Sequence, residues 1–146
     1  MSEEINAKVL LVDDEEQFLN ALSQRLAGRG MKIEAAASGE EALRQAKGKD
    51  FDAIVLDLVM PGLDGLDVLK RLRRENPDLQ IIILTGHATV EKSVEAIREG
   101  AVELLEKPVD MDKLLKRIGE ARRQRIILVE KKAEERVKDI LKSKGW

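Results

Sequence analysis

Five times along this chain a short apolar run is followed by a stretch whose apolar residues recur at helical spacing. No other feature restricts the fold as much. The runs are Lys8–Val12, Lys32–Ala36, Ala53–Asp57, Gln80–Thr85 and Glu103–Glu106. Several are rich in Val and Ile without polar alternation, which marks strands buried on both faces of a parallel sheet. The first helical stretch is Glu15–Arg29, with Phe18, Leu19, Leu22 and Leu26 on one stripe and Gly30 as its stop. The second opens with Ser38 and Glu41 at capping-box spacing. A third covers about 66–74 with Pro77 beyond it, a fourth is Thr89–Glu99 ended by Gly100, and a fifth begins near Asp110.

Strand–helix alternation of this kind predicts an α/β fold, a parallel sheet with helices on both faces. Right-handed crossovers leave few topologies, and five strands suit the doubly wound, flavodoxin-like order 2-1-3-4-5. At 146 residues the chain fits one such domain with an appendage. The absence of cysteine excludes disulfides and thiolate metal sites. Glu3 and Glu4 precede the first apolar run, so the basic start and cleavage site of a signal peptide are missing. A cytoplasmic protein with no membrane contact is expected.

The pattern changes after about residue 122, which divides the chain into a domain at 1–122 and a helical extension at 123–146. The extension holds no Gly or Pro until Gly145 and keeps apolar positions at Ile126, Val129, Ala133, Val137 and Ile140. Ile126, Ala133 and Ile140 are seven apart, but Arg136 spoils the matching d position, so the coiled-coil signal is weak. From Asp110 onward twelve Lys/Arg face seven Asp/Glu, a local +5 that leaves −7 for residues 1–109. Glu130, Glu134, Glu135 and Asp139 interleave with the cations, so this is read as a solvated helix face, with no direct nucleic-acid binding expected.

In open α/β sheets ligands bind beyond the carboxyl ends of the strands, near the topological switch point. The first strand ends in Asp13 and Asp14, the third in Asp57, the fourth in Thr85, and the fifth in Lys107 and Pro108. In the order 2-1-3-4-5 these ends are neighbours, so the five polar residues converge on one edge. Three crowded carboxylates repel and call for a hard cation. Oxygen donors without Cys or a His cluster point to Mg²⁺, which shares its coordination with phosphate oxygens. A carboxylate can itself be the nucleophile and form an aspartyl phosphate. Transfer then needs mainly positioning and charge neutralisation, here from Mg²⁺ and Lys107, with the Thr85 hydroxyl bonding a phosphoryl oxygen. Taken singly, the residues have plainer readings. An Asp pair before a helix serves as a cap, Lys-Pro as a loop, Asp64 as a helix cap and His87 as an exposed loop residue.

Asp13-Asp14, Asp57 followed by Met60-Pro61-Gly62 and Gly65, Thr85-Gly86, and Lys107-Pro108 together resemble the signature of the receiver domain of two-component systems, chemotaxis-regulator-like. The similarity covers about residues 6–122. It implies Asp57 as phosphoacceptor, Asp14 as a direct Mg²⁺ ligand, Asp13 acting largely through water, and the backbone carbonyl of Val59 as a further ligand. It also implies Lys107 on the phosphoryl group, Thr85 moving toward it, a cis Lys107–Pro108 peptide, and a sensor histidine kinase as phosphodonor. The chain would then be a signalling switch and not an enzyme. The fourth helix and its preceding loop resemble receivers attached to ATPase-type transcription activators. The extension is expected to favour homodimers, with the fourth-helix/fifth-strand/fifth-helix face, common in receiver dimers, as a compatible neighbour.

One departure stands out. Where receivers usually carry Tyr or Phe, three residues before the Lys, this chain has Leu104, and it contains no Tyr. The principal rival is a Mg²⁺-dependent phosphatase with an aspartyl nucleophile. Those enzymes typically place a general-acid Asp two residues after the nucleophile, and Val59 transfers no proton. A flavin-binding domain of the same topology is disfavoured by the acidic first β–α turn, which repels phosphate.

Overall fold

A computed structural model describes residues 6–86 and 88–145. The expected features at Glu3, Glu4 and His87 lie outside the described residues. The elements are β1 (Lys8–Val12), α1 (Glu16–Ala27), β2 (Lys32–Ala36), α2 (Gly39–Ala46), β3 (Ala53–Leu56), α3 (Gly65–Glu75), β4 (Ile81–Thr85), α4 (Val90–Arg98), β5 (Glu103–Glu106) and α5 (Met111–Ser143). The strands form one parallel sheet in the order β2-β1-β3-β4-β5.

The central strands bury both faces, as their unbroken apolar runs require. Leu10 and Val12 of β1, Ile54 and Leu56 of β3, and Ile81 and Ile83 of β4 pack with α2, α3 and α4 through Ala42, Leu69, Leu72 and Ala96. The alternate residues Val9, Leu11, Val55, Ile82 and Leu84 face Leu19, Leu22 and Leu26 of α1 and Leu114, Leu115 and Ile118 of α5. Truncating one of these side chains to Ala costs about 2–5 kcal/mol through lost burial and the cavity left behind. Two-sided burial is what fixes the register, because a slip by one residue exchanges the two faces.

Local signals behave as their chemistry dictates, with two differences. Gly30 stops α1 at φ +91°, and its N–H donates to the Ala27 carbonyl at 3.0 Å. Ser38 Oγ accepts from Glu41 N–H at 3.2 Å, but Glu41 reaches back to the N–H of Ala37 instead of Ser38, a displaced capping box. Asp64 occupies the N-cap of α3 without capping through its side chain. Its carboxylate pairs instead with Lys92 of α4 at 3.0 Å.

α5 runs unbroken for 33 residues, about 50 Å at 1.5 Å per residue. It therefore continues past position 122 without a break in the backbone. Beyond the sheet it is tied to the receding edge by Arg125, which reaches Asp50 at 3.0 Å and Asp52 at 3.3 Å, and by an ion pair between Lys132 and Asp78. Among the described residues no helix is long and apolar enough to cross a membrane.

Candidate functional site

The carboxyl ends of β1, β3, β4 and β5 bring together Asp13, Asp57, Thr85 and Lys107. Asp13, Asp57 and Thr85 are each at most 5% exposed. Polar groups so buried must be paired, and each is. Asp13 Oδ1 accepts the N–H of Glu15 at 2.9 Å, and its Oδ2 accepts Lys107 Nζ at 2.6 Å. Asp57 Oδ1 accepts the Thr85 hydroxyl at 2.7 Å and the N–H of Val59 at 3.2 Å. Its Oδ2 faces Lys107 Nζ at 3.3 Å. Both oxygens of the Asp57 carboxylate thus have a side-chain donor, a neutral hydroxyl on one and an ammonium on the other.

Asp14 is exposed, yet one of its oxygens lies within 4.8 Å of one from Asp13 and one from Asp57. This is an all-oxygen donor set open to solvent on one side, the kind that suits a hard cation keeping part of its water. Burial pushes the Asp13 carboxyl above its usual range, against the pull of Lys107. Burial by itself would lower Lys107, but the carboxylates of Asp13 and Asp57 overcome it and raise the ammonium above its usual value. The cluster therefore carries excess negative charge held at a cost, with a single buried ammonium as counterweight.

Residue 57 lies one position past the end of β3, still joined to β1 by its N–H on the Val12 carbonyl at 3.0 Å. α3 closes on this segment through Gly65, whose N–H donates to the Leu58 carbonyl at 3.0 Å. Val59 is 38% exposed at the mouth of the site. Leu104 is half-buried and packs against the core on the α2–α4 side, so an aliphatic chain fills that slot. The Lys107–Pro108 peptide is cis.

Two neighbours escape a reading of strand ends alone. Glu15 Oε1 stands 3.4 Å from Lys107 Nζ, and the Phe18 ring lies under the same ammonium at 4.3 Å from its centroid. Both belong to the start of α1, where Glu15 passes for a helix-entry residue and Phe18 for part of the apolar stripe. Nothing in the sequence separates these contacts from the plainer roles.

Residues 9–119 match the family model of the response regulator receiver domain. The chain belongs to that family. Among curated relatives, it is 37% identical over 113 residues to the transcriptional regulatory protein ZraR of Salmonella typhimurium, covering 77% of this chain and 26% of that one. It is 38% identical over 124 residues to the C4-dicarboxylate transport transcriptional regulatory protein DctD of Pseudomonas aeruginosa, covering 84% and 27%. The chain thus spans about a quarter of the length of these relatives. A receiver domain structure from Clostridium thermocellum superposes with TM-score 0.79 at 34% identity, covering 84% of this chain and 98% of that one. A CheY-like receiver from Methanospirillum hungatei gives 0.78 at 29% identity, covering 83% and 97%. The receiver is a module of two-component signalling, and its acidic cluster is consistent with phosphorylation and Mg²⁺ binding.

Proposed function

We propose that this receiver accepts a phosphoryl group on Asp57 from a sensor histidine kinase, with Mg²⁺ bound at Asp13, Asp14, Asp57 and the Val59 carbonyl. The observation that carries this reading is the double coverage of the Asp57 carboxylate, by Thr85 Oγ1 on one oxygen and Lys107 Nζ on the other. An Asp57 oxygen attacks phosphorus while the bond to the donor imidazole breaks and the imidazole nitrogen keeps the electron pair. Lys107 offsets charge on the transferred group, and Thr85 exchanges its bond to Asp57 for one to a phosphoryl oxygen. Bound in the acidic cluster, the cation supplies the countercharge that lets an anionic donor approach three carboxylates.

Three carboxylates, a divalent cation and one ammonium are formally neutral together, so the added phosphoryl group makes the site anionic. The hydrogen bonds that rearrange to meet that charge are the switch. With Leu104 in place of an aromatic side chain, the readout runs through Thr85 and the β4–α4 segment and not through a turning ring. The domain at 1–122 is the phosphoacceptor and 123–146 a linking helix, in a cytoplasmic signalling protein without catalytic turnover of its own. Its output runs through contacts to a downstream target or a second copy.

The test is labelling with acetyl phosphate. Wild type with Mg²⁺ takes label, whereas Asp57→Asn, or wild type in EDTA, takes none. Equal labelling of Asp57→Asn overturns the assignment.

A further inference from the structure

We propose that Phe18 is a positioning residue for phosphoryl acceptance, its ring holding the Lys107 ammonium against Asp57. This rests on the reading of Asp57 as phosphoacceptor. Lys107 Nζ has three carboxylates within reach: Asp13 at 2.6 Å, Asp57 at 3.3 Å and Glu15 at 3.4 Å. Only one of the three is the acceptor. The Glu15 side chain is 59% exposed and draws the ammonium outward, while the Lys107 side chain itself is only 13% exposed. A four-carbon stem with free rotation has no intrinsic preference for Asp57. Lys107 Nζ stands over the ring of Phe18, 4.3 Å from its centroid, and meets the negative face of its quadrupole.

The surroundings strengthen that contact. The Lys107 side chain that meets the ring is largely withdrawn from water, as is the Asp13 carboxylate beside it. Cation–π attraction is largest where water is excluded. The chain holds two Phe and no Tyr. Phe51, the other Phe, stands under Lys8, the first residue of β1, at 5.4 Å. Phe18 also packs against the α1–α5 side of the core, a role that Leu fills equally well. What Leu lacks is the π face.

The experiment uses the full chain, acetyl phosphate and Mg²⁺, and measures the rate of label entering Asp57. Phe18→Leu is expected to slow transfer about fivefold, the scale of a single cation–π contact, while Phe18→Tyr keeps the wild-type rate. Because Phe18→Leu also alters the core, two readouts isolate the positioning role. Ring current shifts the Lys107 ε-protons upfield in wild type and in Phe18→Tyr, but not in Phe18→Leu. In a Lys107→Ala background, Phe18→Leu causes no additional slowing. Wild type that is labelled yet indifferent to Phe18→Leu overturns this proposal alone, as does additional slowing without Lys107. Wild type that takes no label overturns the phosphoacceptor reading and this proposal with it.

Discussion

Gly65 approaches Asp57 so closely that a Cβ added to it would lie 2.0 Å from the Asp57 carbonyl oxygen and 2.5 Å from Leu58 Cα. The obstacle is main chain, which cannot rotate aside, so the start of α3 must move for any larger residue to fit. Gly65 is thus the point of close approach at which the start of α3 packs on the Asp57–Leu58 main chain. Gly65→Ala is expected to cost about 1–3 kcal/mol and to slow labelling of Asp57. Gly119→Ala in α5 is the control. A Cβ there meets nothing within 4 Å, and stability should hold or rise by about 0.5–1 kcal/mol. Thermal unfolding of the two variants checks the contrast.

Asp13 provides a pH-dependent prediction. Its folded pKa lies above the unfolded value of 3.8, because burial disfavours the charged form despite Lys107. The folded state therefore binds this proton more tightly than the unfolded one. Charged Asp13 costs stability above its folded pKa, and the cost fades as pH falls through that value toward 3.8. Asp13→Asn removes the cost while Lys107 keeps Asp57 and Glu15. The variant should be more stable near neutral pH by on the order of 1 kcal/mol, about 2–4 °C in Tm, and should converge on wild type in acid. Lys107 has the same sign in a higher pH window, because its folded pKa is raised too. Its contribution is complete below 10.5 and is lost as pH rises through its raised value. Added Mg²⁺ should stabilise wild type more than Asp13→Asn. Denaturation curves across pH, with and without Mg²⁺, measure all three effects.

Most of the fold was legible because its signals are local and repeated. The Val/Ile runs of β3 and β4 have one reading, and the polar residues at their ends inherit positions from the strand order. What escaped depends on three-dimensional proximity. Nothing at Phe18 distinguishes an aromatic facing an ammonium from one facing the core, because one stripe serves both. Asp64 has the residue type and place of an N-cap, yet the nearness of Lys92 across the α3–α4 contact captures its carboxylate. The unbroken course of α5 past position 122 is not legible in the sequence, since helical periodicity alone does not separate one helix from two in succession. Arg125 and Lys132 find acids 54 or more positions away along the chain, partners no periodicity shows.

Val59 is expected to govern the lifetime of the phosphorylated state. It sits at the mouth of the site, 38% exposed, with its N–H already committed to Asp57 Oδ1. Its side chain offers no hydrogen bond to orient a water for attack on phosphorus. The label is expected to be long-lived, and Val59→Asn should shorten its half-life several-fold by supplying a polar group. Chase of labelled protein after removal of the donor gives both rates. Equal decay of the two proteins removes Val59 as a shield.

The exposed stripe on α5 is expected to be covered by a second copy. Ile126, Val129, Val137 and Ile140 are 37–56% exposed, and an unsupported helix of this length is marginal in water. At 100° per residue the stripe lies about 160° around the helix from Arg117. Arg117 in turn pairs with Glu103 of β5 at 3.0 Å. The stripe and the β5 side of α5 are therefore separate surfaces, and one partner helix cannot cover both. A second apolar set, Val90, Val94, Ile97 and Val102, is exposed on α4 and the segment after it. Contact there would be independent of the extension. Arg125 and Lys132 are committed to acids of their own chain, which holds the first half of the extension in place and leaves the stripe open. Sedimentation of the full chain at tens of micromolar should show a two-fold dimer. A chain stopped after Arg123, and the double variant Val137→Glu with Ile140→Glu, should both sediment as monomers. If the dimer persists in both, the α4 surface is its seat; if the full chain is itself monomeric, the stripe pairs with no second copy.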